Sequence, residues 1–277
     1  MTTTPRDASL TPPLTQRIND TTKDVHEKSG NSINWKLSLI LTSKECYCEA
    51  ISLFWIVYRE IERLYDKHVN DHKVLQLLQP VAIVFQRAPK AERDIRTLMP
   101  SPEQAQELLE RRCSDGKYTP RALQDYVDRL ERIAAENPVQ LVAYLYAMNG
   151  AITGGGVAIQ KMVQKTFGLK TLEGVELFEL NLSGTSFASG REAWKEFKRI
   201  LDEDAGPYLT DEDIDLILKE APKVFDGNNA LVATVQQTRA FGKAAADCTR
   251  RLGIVLAVVI AVVAAAVLYT TPSTTSK

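Results

Sequence analysis

The chain has 277 residues, 34 Lys and Arg against 35 Asp and Glu, and 44% hydrophobic residues. A formal net charge of −1 offers no basic field for nucleic acid, and the roughly 240 residues before the final apolar run suffice for one large domain with a core of its own. The four cysteines, Cys46, Cys48, Cys113 and Cys248, have no paired metal-ligand spacing. Cys46-Tyr47-Cys48 is too close for an ordinary disulfide or a CxxC site, so reduced thiols used as small hydrophobes are expected.

Residues 1–13 are polar and rich in Thr and Pro, with no secretory leader, and are expected to be disordered. From Leu14 the apolar pattern is helical nearly throughout: Ile18, Val25 and Ile33 recur at near-helical spacing, and Glu45 to Lys67 reads as one long helix. Thr119-Pro120 opens a helix whose Leu123, Tyr126, Val127, Leu130 and Ile133 form a single stripe. Asn137-Pro138 ends it and starts another, Val139 to Phe167. Ala193 to Leu201 is helical, Gly206-Pro207 a loop, and Thr210 to Asp213 caps a helix reaching Phe225, with Gly227 as its breaker. Without strand alternation or a repeat, the expected fold is an all-α single domain over residues 14–230, then a juxtamembrane helix or linker over 231–251.

Leu252 to Tyr269 is a run of eighteen residues without a charge. As a helix it spans about 27 Å, which suits a thin bilayer such as that of the endoplasmic reticulum. A transmembrane tail anchor at 252–269 with a short lumenal tail at 270–277 is expected, and Arg250 and Arg251 place the domain in the cytosol.

The oddest stretch is Gly150-Ala151-Ile152-Thr153-Gly154-Gly155-Gly156, four glycines inside a strong helix. Each costs about 1 kcal/mol against alanine, so a reason is needed: backbone laid against a ligand, close helix packing, or a loop between two helices. Of the three histidines, His68 and His72 fall in a polar hinge and read as solvated surface, whereas His26 follows Thr22 and Val25 on a mixed face. A single axial histidine opposite a glycine-bent helix is what haem needs. Lys195 and Arg199, i and i+4 beside Trp194 and Phe197, could meet two carboxylates or simply form a solvated face.

Tyr118-Thr119-Pro120 through Tyr126-Val127 and Arg129-Leu130, then Leu141-Val142-Ala143, Tyr146, Gly155-Gly156 and Gln164-Lys165, together resemble the haem oxygenase (heme oxygenase) family, whose eukaryotic members are similarly tail-anchored. The resemblance implies haem as both cofactor and substrate, cleaved with O2 to biliverdin, ferrous iron and carbon monoxide. Electrons would come from NADPH through a membrane-bound flavoprotein reductase. It also implies an axial His26 on the iron and Thr22 in its helix, and a distal wall of Gly150, Gly154, Gly155 and Gly156 with Tyr146 behind it. Lys195 and Arg199 would hold the propionates, and Phe225 and Asn228 would lie in the last pocket helix.

Three departures accompany it. The family's distal Asp falls on Ile152 in the register set by Gln164-Lys165, and on Ala151 if the frame slips by one, leaving Thr153, Asn149 or water to supply the proton. Gly30 replaces the carboxylate four residues after the proximal histidine, and Asn19 replaces a propionate lysine, with Arg17 as a possible substitute. Two alternatives to cleavage follow: a haem-binding or haem-sensing relative, and a haem-free membrane-anchored helical adaptor.

Overall fold

The protein is described from a computed structural model covering residues 12–250, without the side chains of 30–35 and 37. The expected tail anchor and lumenal tail, residues 1–11 of the N-terminal segment, Arg251, and the side-chain positions of Gly30 and Ile33 lie outside the described residues. The architecture is all-α, with helices α1 (Leu14–Ile40), α2 (Lys44–His68), α3 (Lys73–Ala82), α4 (Ala88–Leu98) and α5 (Pro102–Arg112) in the first half. The second half holds α6 (Arg121–Glu136), α7 (Leu141–Ala151), α8 (Val157–Phe167), α9 (Gly190–Arg199) and α10 (Asp211–Val235).

Several of these helices begin where side chains satisfy their free amides. Ser43, Ser101 and Ser189 each accept an N–H of the first turn, and Thr210 with Asp213 forms a complete capping box. The α6 stripe is buried throughout, as its spacing requires, and α2 carries the core between α4 and α6. On the other side α10 packs along α1 and α7. Pro138 to Phe167 is helical end to end, long and apolar enough to cross a membrane, yet half of its apolar window is buried inside the protein as a core helix.

Four expectations are corrected. Gly227 does not break α10, which runs on to Val235; the missing side chain makes room for the Tyr126 ring, whose Cε2 lies 2.6 Å from where a Cβ would stand. The folded body does not stop at 230, because Leu231, Val232 and Val235 are buried, as are Ala240, Phe241 and Ala244 in the helical residues 239–250. A small antiparallel hairpin pairs Cys113 with Tyr118, turning at Asp115-Gly116, both with positive φ. Asp-Gly is the dipeptide such a turn favours, so the signal was in the sequence. His68 and His72 are half-buried rather than solvated: His68 Nδ1 pairs with Asp71 at 2.6 Å, and His72 caps α3 by accepting the Val74 N–H.

Candidate functional site

Helix α1 is fixed at two points along its length. Near its start, Asp202 accepts hydrogen bonds from the Thr15 backbone N–H at 2.9 Å and hydroxyl at 2.7 Å; fourteen residues on, Ser29 Oγ donates to Asn229 Oδ1 at 2.5 Å. Between these ties α1 presents Ile18, Asn19, Thr22, Lys23 and His26 to a cavity of about 850 Å³. That volume lies within the range of small-molecule and cofactor sites. Thr22 is buried, its hydroxyl turned back to the Ile18 carbonyl at 2.8 Å, so it packs rather than donates into the cavity. His26 is exposed there, its ring edge-on to Phe225 of α10 at 5.6 Å.

Opposite α1 stands the glycine helix, and here the chain departs from α geometry: Ile152–Gly156 is a π turn joining α7 to α8. A π turn accommodates one more residue than an α turn, and such bulges gather at functional sites. An extra residue at this point shifts the facing of the residues before it by one position relative to those after it, the same size as the difference between the two registers. Gly150, Ala151, Gly154 and Gly155 face the cavity. Ile152 does not; it is buried on the far side against Gly156, which is itself closed off by Phe178 at 3.3 Å from a would-be Cβ. Of the two residues on which a distal carboxylate is expected to fall, Ala151 is the one that faces the cavity.

The glycines divide accordingly. A Cβ at Gly150 would meet Trp194 at 3.3 Å, so Gly150 and Gly156 are small for packing. At Gly154 and Gly155 a Cβ would meet nothing within 4 Å, so no contact among the described residues accounts for two residues that weaken a helix by about 1 kcal/mol each. Thr153 turns its hydroxyl to the Asn149 carbonyl at 2.9 Å, and Asn149 lines a separate cleft of about 200 Å³ behind α7. Neither side chain lines the His26 cavity.

The rim is polar. Tyr146 donates its hydroxyl to Asn19 Oδ1 at 3.0 Å, and burial pushes its pKa up, keeping it a donor. Lys198 and Lys23 line the cavity, with Asp20 and Glu27 beside them. Lys195 is exposed and outside it, and Arg199 is engaged by Glu196, Glu203 and Asp204, including two bonds of 2.7 Å. Phe225 lines the cavity, but Asn228 sits behind, accepting from Tyr126 Oη at 3.2 Å and donating to Met148 Sδ. Lys198 was missed in the sequence although it lies four residues after Trp194, on the same helical face.

Among the described residues no three His, Cys, Asp or Glu side chains converge as a metal site. His26 alone would suit a metal that a non-protein ligand otherwise holds. A cavity with one exposed imidazole, a stretch of wall bare of side chains at Gly154 and Gly155, and two rim lysines has the groups that a planar aromatic dianion carrying its own metal would need, which describes haem.

A family model described as Heme oxygenase matches residues 12–234. Among curated relatives, the Heme-binding protein HMX1 of Saccharomyces cerevisiae is 24% identical over 239 residues, covering 80% of this chain and 75% of its own. The Heme oxygenase of Takifugu rubripes is 22% identical over 229 residues, covering 81% and 74%. Among solved structures, heme oxygenase 2 of Chlamydomonas reinhardtii without heme gives a TM-score of 0.70 at 23% identity, over 80% of this chain and 97% of that one. Heme oxygenase-1 of the cyanobacterium Synechocystis, in complex with heme, gives 0.69 at 19%, over 88% and 100%.

Proposed function

Because the chain belongs to the haem oxygenase family, we propose that it binds haem between α1 and the glycine helix and cleaves it to biliverdin, ferrous iron and carbon monoxide. The reaction uses O2 and electrons passed from NADPH by a flavoprotein reductase. The observation that carries the binding site is the pair Gly154 and Gly155, bare of side chains toward a cavity whose opposite wall bears His26. Bound haem supplies the redox iron and the ring that is oxidised. His26 offers the imidazole lone pair, Phe225 fixes its ring edge-on, and the glycine strip admits a flat face without a clash. Lys23 and Lys198 meet the two carboxylates, and Asn19, its oxygen held by Tyr146, keeps its amide N–H groups for the same edge.

A second reading, a haem-binding or haem-sensing protein with little ring cleavage, is favoured by Ala151, which brings no proton-ordering carboxylate to the cavity. The haem-free adaptor, in which the glycines would serve partner contacts, leaves unexplained the exposed His26 that lines the same cavity. Hemin titration of wild type and His26→Ala tests binding: the variant is expected to lose the iron–histidine vibration and recover it with imidazole, and an unchanged spectrum overturns the ligand. Bilin yield with a reductase separates the first two readings.

The same proposal places the domain on the cytosolic face of the endoplasmic reticulum as a tail-anchored protein beside a membrane-bound reductase. The uncharged run 252–269 after Arg250 and Arg251 supports it.

A further inference from the structure

Behind the glycine helix, on the side away from the cavity, the segment that follows α8 is tied to α4 by a dense set of polar contacts. The Asp94 carboxylate accepts the Glu176 N–H and the Leu177 N–H, each at 2.8 Å. Arg87 Nη1 donates to the carbonyls of Leu177, at 3.2 Å, and Glu179. Lys90 Nζ reaches the Glu179 carbonyl at 2.7 Å, and Arg93 Nε the Glu176 carboxylate at 2.8 Å.

Both Asp94 and Arg87 are completely buried. Arg87 keeps Nε and Nη2 without a hydrogen-bond partner among the described residues, and burial lowers its pKa. A buried guanidinium with two idle nitrogens is a poor way to gain stability. What it does hold is position. Phe178, between Leu177 and Glu179, presses on the π turn where a Gly156 Cβ would stand, a point that the Ile152 side chain also approaches; Gln160 of α8 donates to the Glu179 carboxylate at 2.5 Å.

We infer that Asp94 is a positioning residue for the distal wall: with Arg87 it clamps residues 176–179, and through Phe178 it sets the π turn that presents Gly154 and Gly155 to the ligand. A π turn lacks the regular ladder of an α-helix, so its geometry depends on what packs against it. The clamp supplies that backing from outside the cavity. The inference rests on the haem-site reading for its purpose, but its mechanical half stands without ligand.

The test therefore has two arms. In the ligand-free full-length protein, amide hydrogen exchange is compared among wild type, Asp94→Asn and Phe178→Ala. Asp94→Asn keeps one acceptor and loses the other; Phe178→Ala leaves the clamp and removes its contact with the turn. Both are expected to exchange about tenfold faster at residues 152–157, with α1 and α10 unchanged. In the hemin complex, both are expected to shift the pH of the ferric acid–alkaline transition, a distal-side signature, while retaining the iron–histidine vibration. Wild-type exchange at 152–157 in both variants, or acceleration spread evenly over the chain, overturns the inference. Failure of wild type to bind hemin overturns the haem reading alone, because the exchange arm still decides the clamp.

Discussion

Ala151 faces the cavity with a methyl group, and one position later Ile152 is buried on the far side, against Gly156. Aspartate at these neighbours has opposite consequences. Ala151→Asp places a carboxylate where it can order water, and single-turnover bilin yield is expected to rise; Ile152→Asp buries one without a partner and is expected to lower the melting temperature by an amount reflecting several kcal/mol, without a gain in bilin. Equal yields from both variants would remove the π-turn register from the account. Linear counting could not choose between the two frames, because a π turn at this point depends on backbone hydrogen bonding. The rim cations were hidden for a similar reason. Lys195 and Arg199 share a face, but Gly150 makes room for Trp194, which turns Lys198 into the cavity instead. Lys198→Glu is expected to weaken hemin binding roughly tenfold, the size of one charge-assisted hydrogen bond, with Lys195→Glu near wild type in the same titration.

At the scale of elements, the helices were legible where an amphipathic stripe is strong, as in α6, or meets a cap, as in α2, and less so where a glycine serves a neighbour. Gly227 reads as a terminator until the Tyr126 ring is seen in its gap. Two Gly→Ala changes are expected to diverge. Gly227→Ala forces the ring aside and is expected to destabilise by about 1–3 kcal/mol, against the ordinary preference of helices for alanine. Gly154→Ala meets open space, so the free protein is expected to gain up to about 1 kcal/mol while hemin affinity falls, since the new methyl stands on the ligand's face. Thermal melts with and without hemin check both; greater stability of Gly154→Ala in both states would mean that the strip touches no ligand.

For the whole molecule, burial pushes the Asp94 carboxyl up to about 7, outweighing the two N–H groups it accepts; Glu176 reinforces this and Arg93 opposes it, with Tyr47 and Cys48 packed nearby from α2. The folded state thus holds a proton that the unfolded chain releases near pH 4, so stability falls as pH rises from about 4 to about 7 and levels off above. Glu62, also raised by burial, acts in the same direction. Asp213, held low by Thr210 and Asn137 despite partial burial, contributes stability that is lost only as pH falls below the usual carboxylate range. Urea midpoints from pH 4 to 8 are expected to decline for wild type and to decline less for Asp94→Asn. The proposed tail anchor is tested in the full chain: arginine at both Val259 and Val263, costing roughly 2.5 to 3.5 kcal/mol each at a bilayer centre, is expected to release the protein from alkaline-washed membranes.

The two ties on α1, Thr15 to Asp202 and Ser29 to Asn229, bracket His26 in sequence. A wall pinned on both sides of its ligand does not swing open as a door would. For the proposed ligand, loading and unloading would then resemble a letter passing through a slot: entry edge first, at a pace set by the charged residues at the mouth, Lys23 and Lys198 with Asp20 and Glu27, and by ionic strength more than by the opening of a helix.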